Sequence, residues 1–249
     1  MKKNKFIFLM SFFILILGCD NKNDKFPLDK RFWTVDDYTE VILELRYGYK
    51  DGEKLPTLDD SETQQIVQKF IDTENFKVVL NDKELGTKHK SKVAVAFFDK
   101  WKDMINIYSD LDKKDKYIYE IEYIETYKFG LELQLFYFRL GNEEILASSD
   151  DPNSDYIKNI IDSNINTMID NYSFYLDDIN KEDAFTENGK KMYSEVMNTY
   201  FSKLIDENPT ANYDSLKEKI LLMDSKTKSE TIKTALKNIL SKIETLKTI

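Results

Sequence analysis

YIYEIEYIETYKFGLELQLFYFRL, residues 117–140, is the stretch that decides whether this chain is built from helices alone or from helices and strands. At helical spacing it carries one apolar stripe, made of Tyr117, Ile121, Ile124, Leu131, Leu135 and Phe138. At period two it reads as two strands of a β-hairpin that turns at Lys128-Phe129-Gly130. Periodicity alone does not separate these two interpretations.

We favour the helical interpretation of 117–140 because of its surroundings. The chain has only 7 glycines and 4 prolines in 249 residues, whereas sandwiches and barrels use these residues at frequent turns. Gly141-Asn142 resembles the stop signal at the end of a helix. The hairpin stays open as the alternative.

The segments before residue 117 carry helix signals. Thr34 predicts an N-cap, and Asp36 and Asp37 have the charge that favours a helix N-terminus. Short apolar runs follow at residues 66–71 and 76–80, and the second run either continues the helix of the first or forms a brief strand. From Ser91 onward, one buried helix is predicted by apolar residues that recur every three or four positions: Val93, Phe97, Trp101, Met104, Ile105 and Tyr108.

The segments after residue 140 repeat this helical spacing. The predicted helices have their apolar stripes at 157–179, 192–204, 216–223 and 232–246. Asn188-Gly189 predicts a turn, and Asn208-Pro209 predicts a helix end. Residues 149–153, SDDPN, are the strongest internal break and mark a possible subdomain boundary. We therefore expect an all-α, irregular bundle of amphipathic helices over residues 33–249.

The first 20 residues carry an export signal. Lys2, Lys3 and Lys5 precede an apolar run from Phe6 to Leu17 that only Ser11 interrupts. A membrane-spanning helix needs roughly 20 apolar residues, so this run fits the core of a signal peptide better than a membrane anchor.

The run ends in Ile16-Leu17-Gly18-Cys19, which resembles the lipobox of bacterial lipoproteins. The resemblance implies removal of residues 1–18, a lipid on Cys19 as the new N-terminus, and a tether over residues 19–32. It places the protein in the bacterial cell envelope, with the membrane as a partner through that lipid. Asp20 resembles an inner-membrane retention signal of some bacteria, but whether the inner or the outer membrane holds the lipid stays open.

Charge and residue content exclude several classes of function. Without residues 1–18, 33 basic and 45 acidic residues remain, a net charge of −12, so nucleic acid is not an expected partner. Residues 212–249 carry +3, which leaves −15 on residues 20–211. The basic end is either a solvated helix face, or docks on the acidic body or on anionic lipid.

Few residues are suited to catalysis or metal binding. His89, the single histidine, lies between two lysines, and Cys19, the single cysteine, is assigned to the lipid. We therefore predict no catalytic residue, no metal site and no cofactor. Paired carboxylates occur at 36–37, 59–60, 143–144, 150–151 and 177–178, where helix capping accounts for most of them.

The tyrosines give a weak indication of a binding surface. Five of them cannot all face one core, so some should be exposed: Tyr117, Tyr119, Tyr123, Tyr127 and Tyr137. The leading hypothesis is a non-catalytic, lipid-anchored protein that binds another protein, for example an immunity-type protein that caps a basic toxin. The alternatives are a small-molecule or glycan-binding lipoprotein and a carboxylate-dependent hydrolase.

Overall fold

The structure, a computed structural model, describes residues 25–147 and 152–246. Its elements in chain order are α1 (Val35–Lys50), α2 (Gln64–Phe70), α3 (Glu74–Leu80), α4 (Thr87–Tyr108), α5 (Glu120–Ala147), α6 (Ser154–Ser173), a 3-10 helix (Phe174–Ala184), α7 (Glu187–Glu207), α8 (Asp214–Lys226) and α9 (Glu230–Leu246). The described residues form no sheet, and their β-pairing is limited to an isolated bridge between Leu111 and Tyr117. The predicted all-α bundle is confirmed.

Helix α5 settles the interpretation of residues 117–140. It runs through Lys128-Phe129-Gly130, where the hairpin alternative needs a turn, so that alternative is wrong. The helix also continues past Gly141-Asn142 to Ala147, so the predicted stop is wrong as well. The Asn142 side chain donates a hydrogen bond to Asn208 Oδ1 at 3.0 Å, which ties this extra turn to the end of α7.

Close packing of α4 on α5 explains the glycine in the middle of α5. A Cβ atom at Gly130 would lie 1.9 Å from Trp101 Cε2, so no larger residue fits there without a shift of α4. The Trp101 indole then donates a hydrogen bond to the backbone oxygen of Thr126 at 2.9 Å. Helices α6 and α7 also pack on α5, which makes α5 the central helix of the bundle.

The start of α1 confirms the predicted N-cap. Thr34 Oγ1 accepts a hydrogen bond from the Asp37 amide at 3.3 Å, and the Asp37 carboxylate accepts one from the Thr34 amide at 2.8 Å. Lys30 Nζ lies 2.6 Å from the same carboxylate. Burial acts to raise the pKa of Asp37, but the hydrogen bonds from Lys30 and Thr34 outweigh it and hold this pKa below its ordinary value.

Three local predictions need correction. The second short apolar run is neither a continuation of α2 nor a strand, but the separate helix α3. The helix predicted through Ile179 changes at Phe174 from α to 3-10 geometry, which still buries Tyr175 and Ile179. Asn188-Gly189 does not form a turn between helices, because it lies in the first turn of α7. There the Gly189 amide donates to the N-cap hydroxyl of Thr186 at 3.1 Å.

The break predicted at 149–153 falls on the connection between α5 and α6. Residues 148–151 of this connection lie outside the described residues, and α6 begins at Ser154. Buried side chains from both sides of the connection belong to one hydrophobic cluster, which joins Phe138 of α5 to Ile169 and Tyr172 of α6. The connection therefore joins two helices that share a core.

Candidate functional site

A cleft of about 570 Å³ opens between α4, α5 and α6. Helices α4 and α6 both pack on α5 but make at most marginal contact with each other. Helix α5 is therefore the floor of the cleft, and α4 and α6 are its walls. We call it the α4–α6 cleft; its lining residues are Thr87, Lys88, Ser91, Lys92, Val95, Tyr137, Phe138, Leu140, Gly141, Glu144, Asn164, Ile165 and Met168.

A salt bridge on the far side of α5 fixes the orientation of the floor. Arg139 donates two hydrogen bonds to the Glu207 carboxylate of α7, at 2.8 and 2.6 Å. Each residue of an α-helix is rotated by 100° from the one before it, so residues two positions before or after Arg139 point to the side of α5 opposite to Arg139. Tyr137 and Gly141 are accordingly turned toward the cleft.

The α6 wall is held by aromatic packing below the cleft. Tyr172 lies edge-on to Phe138 with ring centroids 6.5 Å apart, and its hydroxyl donates to the backbone oxygen of Tyr200 at 3.1 Å. Met168, one turn before Tyr172, and Ile165, two turns before it, reach the cleft. The buried packing of Tyr172 therefore fixes the position of the α6 wall.

The α4 wall is apolar toward the floor and basic along its rim. Val95 is 49% exposed although it lines the cleft. Lys88 and Lys92 are exposed, and neither forms a salt bridge with a described residue. The N-cap of α4 is Gly86, which offers no side-chain acceptor, so the first amides of α4 add positive potential here. Of the described lining residues, Glu144 alone carries a carboxylate.

Exposed apolar side chains extend the cleft along α6. Tyr156 is 69% exposed and Ile160 is 43% exposed. With Asn164 of the lining they are spaced four residues apart, which places all three on one side of the helix. Exposed apolar side chains on one side of a helix, next to an apolar cleft, are typical of interaction sites.

The predicted site residues fall in separate places. Cys19 lies outside the described residues, as do residues 150–151. His89 is exposed in the first turn of α4. Within the described residues, no group of three or more histidine, cysteine or acidic side chains is placed to hold a metal ion.

The tyrosine prediction is wrong. Tyr117, Tyr119 and Tyr123 are buried, and Tyr127 and Tyr137 are half-buried, so none of the five is exposed. The prediction treated residues 117–140 as one helix, but Tyr117 and Tyr119 precede α5, which begins at Glu120. Of these five tyrosines, Tyr137 lines the α4–α6 cleft.

A buried carboxyl group lies beneath this tyrosine cluster. Tyr123 donates a hydrogen bond to Asp178 Oδ2 at 3.0 Å, and the two rings of Tyr117 and Tyr123 stack with centroids 4.7 Å apart. Burial raises the pKa of Asp178 to about 6, and the hydrogen bond from Tyr123 opposes that rise. Asp178 does not line the α4–α6 cleft, so it is a core group rather than part of this site.

The neighbouring Asp177 has a different environment. It lies 2.8 Å from Lys219 Nζ at the surface. The paired carboxylates at 177–178 therefore do not face a common space, and a two-carboxylate mechanism gains no support from this pair.

Sequence reasoning missed the cleft because several of its lining residues lie off the main apolar stripes. Val95 sits one position from the buried Ala94, and Gly141 was interpreted as a helix stop. A signal was present in α4, where Val95 and the lysines at 88 and 92 share a side that the stripe of Phe97, Trp101 and Met104 does not use.

Comparison with known proteins adds no family. The chain matches no protein-family model, no curated protein and no solved structure. None of the described helices is both long enough and apolar enough to span a bilayer.

Proposed function

We propose that this protein is a lipid-anchored, non-catalytic component of the bacterial cell envelope, and that it binds a partner protein in the α4–α6 cleft. One observation carries the binding role: an open apolar groove with helical walls continues onto exposed apolar side chains of α6. Helix-in-groove recognition uses surfaces of this form. The lipid on Cys19 would concentrate the cleft at the membrane, where a partner in the same compartment meets it more often.

The anchor is supported by the signal sequence and by the placement of the single cysteine after it. One buried acyl chain holds a protein only marginally, whereas two hold it firmly. Intact mass of detergent-extracted protein tests this step. We expect a chain that begins at Cys19 with the added mass of a diacylglyceryl group, and no such mass on a Cys19→Ala variant. An unlipidated wild-type chain would remove the anchor from the proposal.

Site-specific photo-crosslinking tests the binding role. A benzophenone amino acid replaces Val95 in the cleft or, as a matched control, Leu221 on α8, which is also 49% exposed. Irradiation of intact cells should join a partner protein to the Val95 position and not to the Leu221 position. Equal adducts from both positions, or none from Val95, would contradict a partner in this cleft.

The same cleft also favours the small-molecule alternative. Its volume of about 570 Å³ lies within the range of small-ligand sites. A bound small amphiphile would appear as added mass in native mass spectrometry of the purified protein, with no protein adduct at Val95. The exposed residues Tyr156 and Ile160 favour a longer partner, because a small ligand confined to the cleft would leave them uncovered.

A further inference from the structure

We infer that the partner segment in the α4–α6 cleft is an amphipathic helix that carries acidic side chains one turn apart along its edge next to α4. This inference rests on the proposed function and adds the chemistry of the partner. It follows from the shape of the cleft, from its apolar lining and from the charge of its rim.

The shape fits a helix. Two helices that pack on a common third helix without meeting leave a groove, and a further helix packs into such a groove at an interaxial distance of about 8–10 Å. The α4 wall from Thr87 to Val95 is about 12 Å long at 1.5 Å per residue. The α6 wall from Tyr156 to Met168 is about 18 Å long by the same measure. A partner helix of three to four turns, about 12 residues, would use both walls.

The lining supplies apolar contacts along the length of the groove. Val95 lies on one wall, Tyr137 and Leu140 on the floor, and Ile165 and Met168 on the other wall. Methionine adapts its side chain to differently shaped partners. A partner helix would fill the groove with residues at positions i, i+3, i+4 and i+7.

The rim then sets the charge of the partner. Lys88 and Lys92 are four residues apart, so they project from the same side of α4 one turn from each other. Some other lysines of this acidic protein are paired with carboxylates: Lys219 lies 2.8 Å from Asp177, and Lys242 lies 2.7 Å from Asp206. The two rim lysines have no such partner among the described residues, and Lys88 lies in the first turn of α4, where the helix N-terminus adds positive potential.

The opposite wall carries no matching charge. Asn164 is its polar residue in the lining, and Glu144 lies on the floor beyond Gly141. Charge complementarity therefore requires acids on only one edge of the partner helix, the edge next to α4. The basic rim of the cleft differs in charge from the protein as a whole. The net negative charge of the protein would attract a basic partner over a longer range.

Crosslinking from Val95 tests the inference when it is combined with charge reversal of the rim. The rim variant is Lys88→Glu/Lys92→Glu, and the control is Lys191→Glu/Lys237→Glu on α7 and α9, which changes the net charge equally. All four lysines are exposed, so both variants should keep the melting temperature of the parent protein. Fragment-ion sequencing of the adduct identifies the partner segment.

The expected result has two parts. The rim variant should lower the yield of the Val95 adduct on the order of tenfold, since two attractive charge pairs become repulsive, and the control should leave it nearly unchanged. The crosslinked segment should show apolar residues at helical spacing, with Asp or Glu four residues apart.

Two results would overturn the inference in distinguishable ways. An adduct that persists in the rim variant, or that joins a basic or non-helical segment, would contradict the acidic helix and leave protein binding in the cleft intact. Absence of any protein adduct, together with a small amphiphile bound to the purified protein, would overturn the inference and the proposed function together.

Discussion

Asp178 makes the stability of the folded chain depend on pH. Burial raises its pKa to about 6 from an ordinary value of 3.8, so the folded chain binds this proton more tightly than the unfolded chain does. Its contribution to stability is therefore complete below the unfolded pKa and is lost as the pH rises through about 6. Above that pH the folded protein holds a buried carboxylate, which the hydrogen bond from Tyr123 only partly compensates.

Asp178→Asn removes the titration and keeps an acceptor for Tyr123. When the pH rises from 4 to 7, the unfolding free energy of the variant should increase by roughly 2–3 kcal/mol relative to that of the wild type. A shift of about two pKa units corresponds to this difference. Urea unfolding of both proteins at the two pH values measures this difference. Parallel stability curves for wild type and variant would show that Asp178 does not titrate as described.

Gly130 is the residue on which the packing of α4 against α5 depends most directly. Gly130→Ala would place a methyl group 1.9 Å from Trp101 Cε2. The clash should cost about 1–3 kcal/mol in spite of the better helix propensity of alanine. Denaturant unfolding measures the loss. The control is Gly48→Ala in α1, where a Cβ atom would lie 3.2 Å from Oε2 of the flexible Glu53 side chain; an equal loss in both variants would contradict a specific clash.

At the scale of the elements, apolar periodicity predicted the faces that the helices bury. Phe97, Trp101 and Met104 of α4 are buried as expected, and so are Ile232 and Ile239 of α9. Element ends were less predictable, because tertiary contacts decide them. Gly141 resembles a stop in sequence, yet α5 continues across it where α6 and the end of α7 pack on the last turns.

The N-cap of α1 is a local signal that the structure confirms, and its energy can be measured. Thr34→Ala removes a hydroxyl that accepts from the Asp37 amide and donates to the Asp37 carboxylate at 2.8 Å. We expect a loss of about 1 kcal/mol in unfolding free energy. Thr73→Ala is the matched control, because Thr73 is the N-cap of α3 and forms no side-chain cap. A comparable loss at Thr73 would assign the effect to something other than capping.

At the scale of the whole molecule, some lysines of the basic C-terminal end form salt bridges with the acidic body. Lys219 pairs with Asp177 and Lys242 pairs with Asp206, so the basic C-terminal helices contact the acidic body, one of the outcomes considered from sequence. The cleft could not be predicted in the same way. It depends on α4 and α6 both packing on α5 with at most marginal contact between them, and a single sequence does not specify the spacing of two helices that are distant along the chain.

The central claim, that a partner covers the α4–α6 cleft, is tested most directly by cysteine labelling. The only native cysteine is Cys19, so a cysteine introduced at Val95 or, as the control, at Leu221 reports a single position. Maleimide labelling is compared between intact envelopes and purified protein. We predict that Val95→Cys reacts severalfold more slowly in envelopes than in the purified state, while Leu221→Cys reacts at similar rates in both. Equal rates for Val95→Cys in the two states would contradict a cleft that is occupied by a partner.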